Sequence, residues 1–209
     1  MSQVHVLDHP LITDKLTRMR RKSTKSQEFR ALLKEISELM GYEVTRNFET
    51  KLITIETPIC EGTFPILKQD FFTIVPILRA GLGMVEGMLE LMPFAHVGHI
   101  GLYRDENTRK PIEYYYKMPA NAENSVIIVV DPMLATGGSA SDAIDSLKNH
   151  GYTNIRLMNL VAAPEGVKVV QERHPDVDIY VAAIDERLND QAYIVPGLGD
   201  AGDRIFGTN

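Results

Sequence analysis

The run Asp131-Pro132-Met133-Leu134-Ala135-Thr136-Gly137-Gly138-Ser139 follows five consecutive apolar residues over 126–130, and this order of residue types suits phosphate chemistry. A buried strand over 126–130 delivers Asp131 to its carboxyl end, where the ligands of open α/β sheets gather. After a loop, Thr136, Gly137, Gly138 and Ser139 open a helix whose residues Ala140, Ala143, Ile144 and Leu147 share one apolar face. Backbone that can close around a ligand, free N–H groups and the helix dipole together favour a monophosphate, and Asp131 is placed to bind sugar hydroxyls. A Walker A loop is excluded because no Lys follows the glycines at the required position, and no dinucleotide fingerprint is present here. Ser139 with Asp142 fits a capping box, and Gly151 stands where a C-terminal cap belongs. Without a ligand, the same stretch reads as a tight strand-to-helix turn capped by Ser139.

Two arginines and a second glycine-rich segment complete the candidate chemistry. Arg79 ends an apolar run over 71–78 and precedes Ala80, Gly81 and Gly83, so its guanidinium and the neighbouring N–H groups suit a diphosphate clamp; the plain alternative is an ordinary strand end with an exposed Arg. Arg104 stands at the base of a segment over 103–118 that reads as a protruding hairpin or flap, with Asp105, Glu106, Asn107 and Thr108 as its turn. Flap closure would bring a second cation over a leaving group, whereas a surface salt bridge is the alternative. Residues 197–202 match G-x-G-x-x-G formally, but seven residues after Gly202 are too few for a nucleotide-binding βαβ unit. Such a loop still exposes N–H and C=O groups able to read a ligand with alternating donors and acceptors; otherwise it is a C-terminal clasp. His96 and His99 lack the rest of a metal signature, Tyr114 to Tyr116 suit a flap strand, and Cys60 has no activating partner pattern.

The elements that must position these residues are those of an α/β protein. Apolar runs over 51–57, 71–78, 96–103, 126–130, 155–163 and 179–184, separated by helical stretches such as 139–148 and 165–173, predict a mainly parallel sheet covered on both faces. Two helical patterns fill the first forty residues; in the second, Phe29, Leu32, Leu33, Ile36, Leu39 and Met40 share a face, with Gly41 as the stop. The basic cluster Arg18, Arg20, Arg21 and Lys22 before it reads as a solvated face or a subunit contact. At 209 residues, with 44% hydrophobic and 24% charged residues and no repeat, the chain reads as one domain over 1–209. A net charge of −6 argues against a general nucleic-acid coat, since counterion release needs a dominant basic face. One cysteine allows no internal disulfide, the amino terminus has no apolar core of signal-peptide length before its charges, and no apolar run reaches the roughly 18 residues of a membrane span, so a soluble, unprocessed, cytoplasmic protein without membrane partners is expected.

The run over 126–141, VIIVVDPMLATGGSAS, resembles the ribose-phosphate motif of type I phosphoribosyltransferases, in the Asp-Pro form of the uracil branch of that family. Residues 75–83 resemble the family's pyrophosphate loop, Tyr103-Arg104 the start of its flap, and residues 193–203 its uracil pocket, so the likeness covers nearly the whole chain in the family's order. Most type I members carry two adjacent acids where this chain has Asp131-Pro132. The resemblance implies the type I fold with a flap hairpin and a C-terminal base-binding segment over 190–209. It implies transfer of the 5-phosphoribosyl group from 5-phosphoribosyl 1-diphosphate to uracil, giving UMP and diphosphate in pyrimidine salvage. Under it, Arg79, Arg104, Asp131 and Asp200 are catalytic, and with Pro132, Met133, Leu134, Ala135, Thr136, Gly137, Gly138 and Ser139 they bind the diphosphate substrate. Ile194, Gly199, Asp200 and Ala201 contact uracil. Asp200 approaches the metal-diphosphate or assists uracil deprotonation. Mg²⁺ held mainly through the substrate, GTP as an effector, and a homo-oligomer of dimers or their multiples complete the expectations. A regulator that binds RNA on the same fold, and a transferase for another base, are the rival readings.

Overall fold

A computed structural model of the chain describes residues 2–69, 71–104, 111–120 and 122–208, with the side chains of Arg104, Pro111 and Glu123 outside the description. The chain opens with strand β1 (Val4–Val6) and helices α1 (Pro10–Arg20) and α2 (Ser26–Val44), followed by β2 (Thr50–Glu56), β3 (Glu61–Leu67) and β4 (Phe72–Leu78). Helix α3 (Leu82–Leu91) leads to β5 (His96–Val97), β6 (His99–Arg104), β7 (Pro111–Lys117) and β8 (Val126–Leu134). The second half alternates α4 (Gly138–Asn149), β9 (Ile155–Ala162), α5 (Pro164–Arg173) and β10 (Asp178–Ile184), then closes with β11 (Arg187–Leu188), β12 (Ile194–Val195) and α6 (Ala201–Phe206).

Among the described residues, an eight-stranded sheet runs in the order β1-β10-β9-β8-β4-β6-β7, with β5 beside β4. Its pairings are parallel except β6 with β7. The chain winds from β4 towards β6 on one side and from β8 towards β10 on the other, so the order reverses between β4 and β8. Such a switch point opens a crevice at the carboxyl ends of the two strands. Residues Phe72 to Ile77 and Val126 to Val130 are buried on both faces, as the unalternating apolar runs predict for a parallel sheet between helix layers. On one face lie α1, α2, α3 and α6, whose Ile12, Phe29, Leu33, Ile36, Met84, Met88 and Ile205 pack over Ile74, Ile128 and Val130. The other holds α4 and α5, where Ala143, Ile144, Leu147, Val167 and Val170 pack over Val75, Ile77, Ile127 and Val129.

Several sequence expectations change. Gly41 does not stop its helix: α2 runs on to Val44, and a Cβ at Gly41 would lie 2.8 Å from Met88 Sδ and 2.9 Å from a Leu91 methyl, so this position lets α2 approach α3. The run over 51–57 is no sheet strand but half of a separate antiparallel ribbon, β2 with β3, whose Leu52, Ile55, Phe64 and Ile66 are exposed. Proline at 65 and glycine at 62 hid β3, since both residues are depleted in strands. The hairpin over 103–118 continues the sheet's edge: β6 pairs with β4 through Ile77–Ile100 and Leu78–Gly101, and its pairing with β7 runs on to Tyr103–Ile112 and Arg104–Pro111, where β4 no longer pairs. Its expected turn, Asp105 to Thr108, lies outside the described residues. The anticipated capping box is absent. Helix α4 starts at Gly138 with Gly137 as N-cap and no side-chain cap bond, and the Asp142 carboxylate instead receives Arg173 at 3.0 Å. Gly151 does follow the helix in a left-handed conformation, its N–H donating to Lys148 C=O.

Candidate active site

Strand β8 does not end at Asp131. Pairing with β9 continues through Met133 and Leu134, so Asp131 is the sixth of nine residues in a central strand, aligned with Asn159 of β9. Pro132 leaves no N–H for the ladder at this point. The Asn159 side chain, fully buried, donates from Nδ2 to the Asp131 carbonyl at 2.8 Å. Met133 N–H donates to Asp131 Oδ1 at 3.3 Å. Burial pushes the Asp131 carboxyl up to about 7; the Met133 N–H works against this rise and the negative charge of Asp200 adds to it. A carboxyl with such proton affinity gains on meeting a cationic or hydroxyl-bearing ligand, and its site lies where the topology predicts one.

Beyond Leu134 the chain turns through Thr136 and Gly137 into α4. The first helical bond is Ser141 N–H to Gly137 C=O at 3.0 Å, and Gly138 N–H approaches Thr136 Oγ1 at 3.4 Å. The N–H groups of Ser139 and Ala140 precede that first bond and so remain available at the positive end of the helix dipole. A cavity of about 80 Å³ is lined by Asp131, Met133, Leu134, Ala135, Thr136, Gly137, Gly138, Ser139 and Ala140. The contiguous motif therefore folds into one cradle, except Pro132, which is buried and does not line it.

A second cavity, about 290 Å³, adjoins the first through shared Met133 and Ala135 and is otherwise lined by Gln191, Ala192, Tyr193, Gly199 and Asp200. Of the four residues that the resemblance places against the base, Gly199 and Asp200 line this cavity. Ile194 and Ala201, 4% and 3% exposed, do not line it; β12 and the first turn of α6 bury their side chains, which leaves only their backbone groups for any contact. Asp200 caps α6, with Oδ1 accepting from Asp203 N–H at 2.9 Å. Gln191, Ala192 and Tyr193, inside the expected C-terminal segment but not singled out as contact residues there, also wall the cavity. The one local mark is conformational and invisible in the sequence: Ala192 has φ 63°, unusual for a residue with a Cβ.

Arg79 follows β4, next to β8, and its exposed guanidinium lies over the Phe206 ring of α6 at 5.6 Å. The turn after it presses on β8: a Cβ at Gly81 would lie 2.5 Å from Val130 C=O, the residue before Asp131. A side chain there would push the Arg79 turn off the strand that carries Asp131. Helix α6 closes on the same turn, a Cβ at Gly202 standing 4.0 Å from Ala80 Cβ. Arg104 ends β6, two strands from Asp131; its side chain lies outside the described residues. In the basic cluster ahead of α2, Arg18, Arg21 and Lys22 are exposed, whereas Arg20 is half-buried. Arg18 pairs with Asp14 at 3.0 Å, and Arg20 pairs with Asp185 at 2.6 Å.

Comparison with known proteins bears on this arrangement. A family model described as uracil phosphoribosyltransferase matches residues 6–208. A uracil phosphoribosyltransferase from Finegoldia magna is 63% identical over 208 residues, covering 100% of both chains. Another of the same name from Alkaliphilus oremlandii is 62% identical with the same coverage. A solved structure of an Aquifex aeolicus protein is 37% identical, covers 99% of each chain and superposes with a TM-score of 0.92. A hypoxanthine-guanine phosphoribosyltransferase from Bacillus anthracis, 14% identical over 77% of this chain and 80% of its own, shares the fold with a TM-score of 0.53.

Proposed function

Because this chain belongs to the uracil phosphoribosyltransferase family, we propose how its own residues divide the work of that reaction. The enzyme transfers the 5-phosphoribosyl group of 5-phosphoribosyl 1-diphosphate to uracil, giving UMP and diphosphate. The observation that carries the division of labour is the pair of adjoining cavities sharing Met133 and Ala135, one ringed by the α4 N-terminus and the other by the C-terminal segment.

In this reading the 5′-phosphate rests on the cradle from Thr136 to Ser139, receiving backbone N–H bonds and the helix dipole. Asp131, in the wall of the first cavity, orients the ribose hydroxyls and stabilises positive charge that develops at the anomeric carbon as diphosphate departs. Arg79, on the turn packed against Val130, meets the departing diphosphate, and Arg104 at the end of β6 adds a second cation. Uracil occupies the second cavity beside Tyr193, Gly199 and Asp200, with N1 towards the sugar, so binding itself supplies the alignment that a two-substrate displacement requires. Asp131 in the first cavity and Asp200 in the second offer hard carboxylate oxygens, a donor type that fits Mg²⁺ brought in on diphosphate oxygens. When bound, that ion supplies positive charge against the leaving group.

Three further features belong to the same reading. A homo-oligomer is supported by the β2–β3 ribbon, which exposes Leu52, Ile55, Phe64 and Ile66, because an isolated two-stranded ribbon is marginal in water and a second copy of the chain would cover it. A cytoplasmic location is consistent with described helices among which none is long and apolar enough to cross a membrane. GTP as an effector rests on family likeness alone.

Turnover of uracil, cytosine, hypoxanthine and orotate under identical conditions tests the base assignment. Cytosine presents an amine and a bare nitrogen where uracil has a carbonyl and an N–H, and two unpaired buried groups at roughly 1–3 kcal/mol each give about 10²–10⁴-fold discrimination. Gly199→Val, at a φ of 80°, should abolish uracil use while the diphosphate substrate still binds at Thr136 to Ser139. Comparable rates with cytosine or a purine, or unaltered uracil turnover in the variant, would overturn the pocket assignment.

A further inference from the structure

Gly197 is tied down from both sides by an ion pair that spans the chain. Arg20, in the last turn of α1, reaches Asp185, the residue after β10, with Nη1 to Oδ2 at 2.7 Å and Nη2 to Oδ1 at 2.6 Å. The same Nη1 donates to Gly197 C=O at 2.7 Å, and Asp185 Oδ2 accepts from Gly197 N–H at 2.8 Å. Both polar backbone groups of Gly197 are therefore consumed by one bidentate pair. The Asp185 side chain is 6% exposed and that of Arg20 23%. No other residue type fits at 197: its φ is 63°, and a Cβ would lie 2.1 Å from Ile194 C=O. Two residues further on, Gly199 and Asp200 form a wall of the second cavity. The intervening Leu198 C=O receives Arg204 Nη1 at 2.8 Å, a second fastening on the same strip of backbone.

We propose that Arg20 and Asp185 are positioning residues for the nucleobase: neither lines the cavity, and together they hold the 197–200 backbone at the place where it reads uracil. A buried pair adds little net stability to a fold in comparison with apolar packing, but its bidentate geometry defines orientation. Lysine cannot reproduce that geometry, since a point ammonium cannot meet both Asp185 oxygens and Gly197 C=O from the fixed plane of a guanidinium. None of the clamp's hydrogen bonds goes to the phosphate cradle, which is built on β8 and α4. Loss of the clamp should therefore act on one substrate and spare the other. The inference rests on the second cavity being the uracil site.

Steady-state kinetics of Arg20→Gln, Arg20→Lys, Asp185→Asn and the double variant Arg20→Gln/Asp185→Asn, with both substrates varied, test the inference. A misplacement of catalytic or binding groups by about 1 Å costs up to 10²-fold, so KM for uracil should rise at least tenfold in Arg20→Gln. KM for 5-phosphoribosyl 1-diphosphate should stay within about twofold. Arg20→Lys should fall between wild type and Arg20→Gln, and the double variant should be no worse than the poorer single variant, because both partners act through one clamp. Should Arg20→Gln fail to fold with an unpaired Asp185, the neutral double variant and Arg20→Lys carry the same comparison. An unchanged uracil KM, an equal rise for both substrates, or independent effects that multiply would overturn the proposal. Gly199→Ala, assayed alongside, separates the two ideas. If it raises the uracil KM while the clamp variants do not, only the clamp fails; if it leaves the uracil KM unchanged, the pocket assignment itself fails.

Discussion

Replacing Asp131 with Asn should make the protein more stable and less active, and the gain in stability should grow with pH. In the folded chain the carboxyl is pushed up to about 7 from 3.8, chiefly by burial. Between these values the folded state holds a proton that the unfolded chain has released, so folding stability falls as pH rises and the full penalty is present above pH 7. A rise of about 3 pH units corresponds to roughly 4 kcal/mol. Partial exposure of Asp131 to its cavity lets solvent screen the charge, so a penalty of about 2–4 kcal/mol is expected at pH 8 and about half of that, or less, at pH 5. Asn keeps the shape and an oxygen for Met133 N–H but cannot ionise. At about 2–4 °C per kcal/mol for a chain of this length, the variant should melt at least ~4 °C above wild type at pH 8, with the gap narrowing towards pH 5. Reversible thermal unfolding of the two proteins at several pH values, without ligands, measures this directly. In the same preparations turnover should fall at least ~10²-fold, the low end for a lost transition-state electrostatic contact. A variant no more stable than wild type at pH 8, or a gap independent of pH, would refute the argument that the site keeps a desolvated carboxylate ready for its ligand.

Arg79→Ala should raise KM for 5-phosphoribosyl 1-diphosphate with uracil binding largely intact, and Arg104→Ala should do the same; a selective loss of uracil affinity in either, read from initial-rate kinetics, would remove that arginine from the diphosphate site. Gly166→Ala, outside the cavities, should cost about 1–3 kcal/mol of stability and weaken binding of the diphosphate substrate, because the new Cβ would stand 2.3 Å from the Ala135 carbonyl and 2.7 Å from that of Leu134 in the cradle. Calorimetric titration of that variant showing wild-type affinity would mean that the cradle tolerates displacement.

The cradle was legible in the sequence because its chemistry is local. Asp131 to Ser139 are contiguous, a strand followed by a helix leaves the chain few ways to join them, and the N–H groups that would meet a phosphate belong to the turn itself. Strands β4, β8, β9 and β10 were legible for a similar reason, since a strand buried on both faces must be largely apolar. What tertiary structure alone decided is what depends on distant partners. Leu52 and Ile55 carry strand propensity, yet the β2–β3 ribbon lies outside the sheet because its pairing partner is the adjacent β3. That the side chains of Ile194 and Ala201 belong to the core was likewise set by tertiary structure, where β12 and α6 close over it. Arg20 read as part of a solvated basic cluster, and only the approach of α1 to the end of β10 gives it Asp185, 165 residues away. The proton affinity of Asp131 likewise comes from burial and from Asp200, neither of which a local motif carries. Hydrophobic period and turn chemistry are properties of neighbouring residues, whereas desolvation and long-range ion pairs exist only once the chain has brought remote segments together.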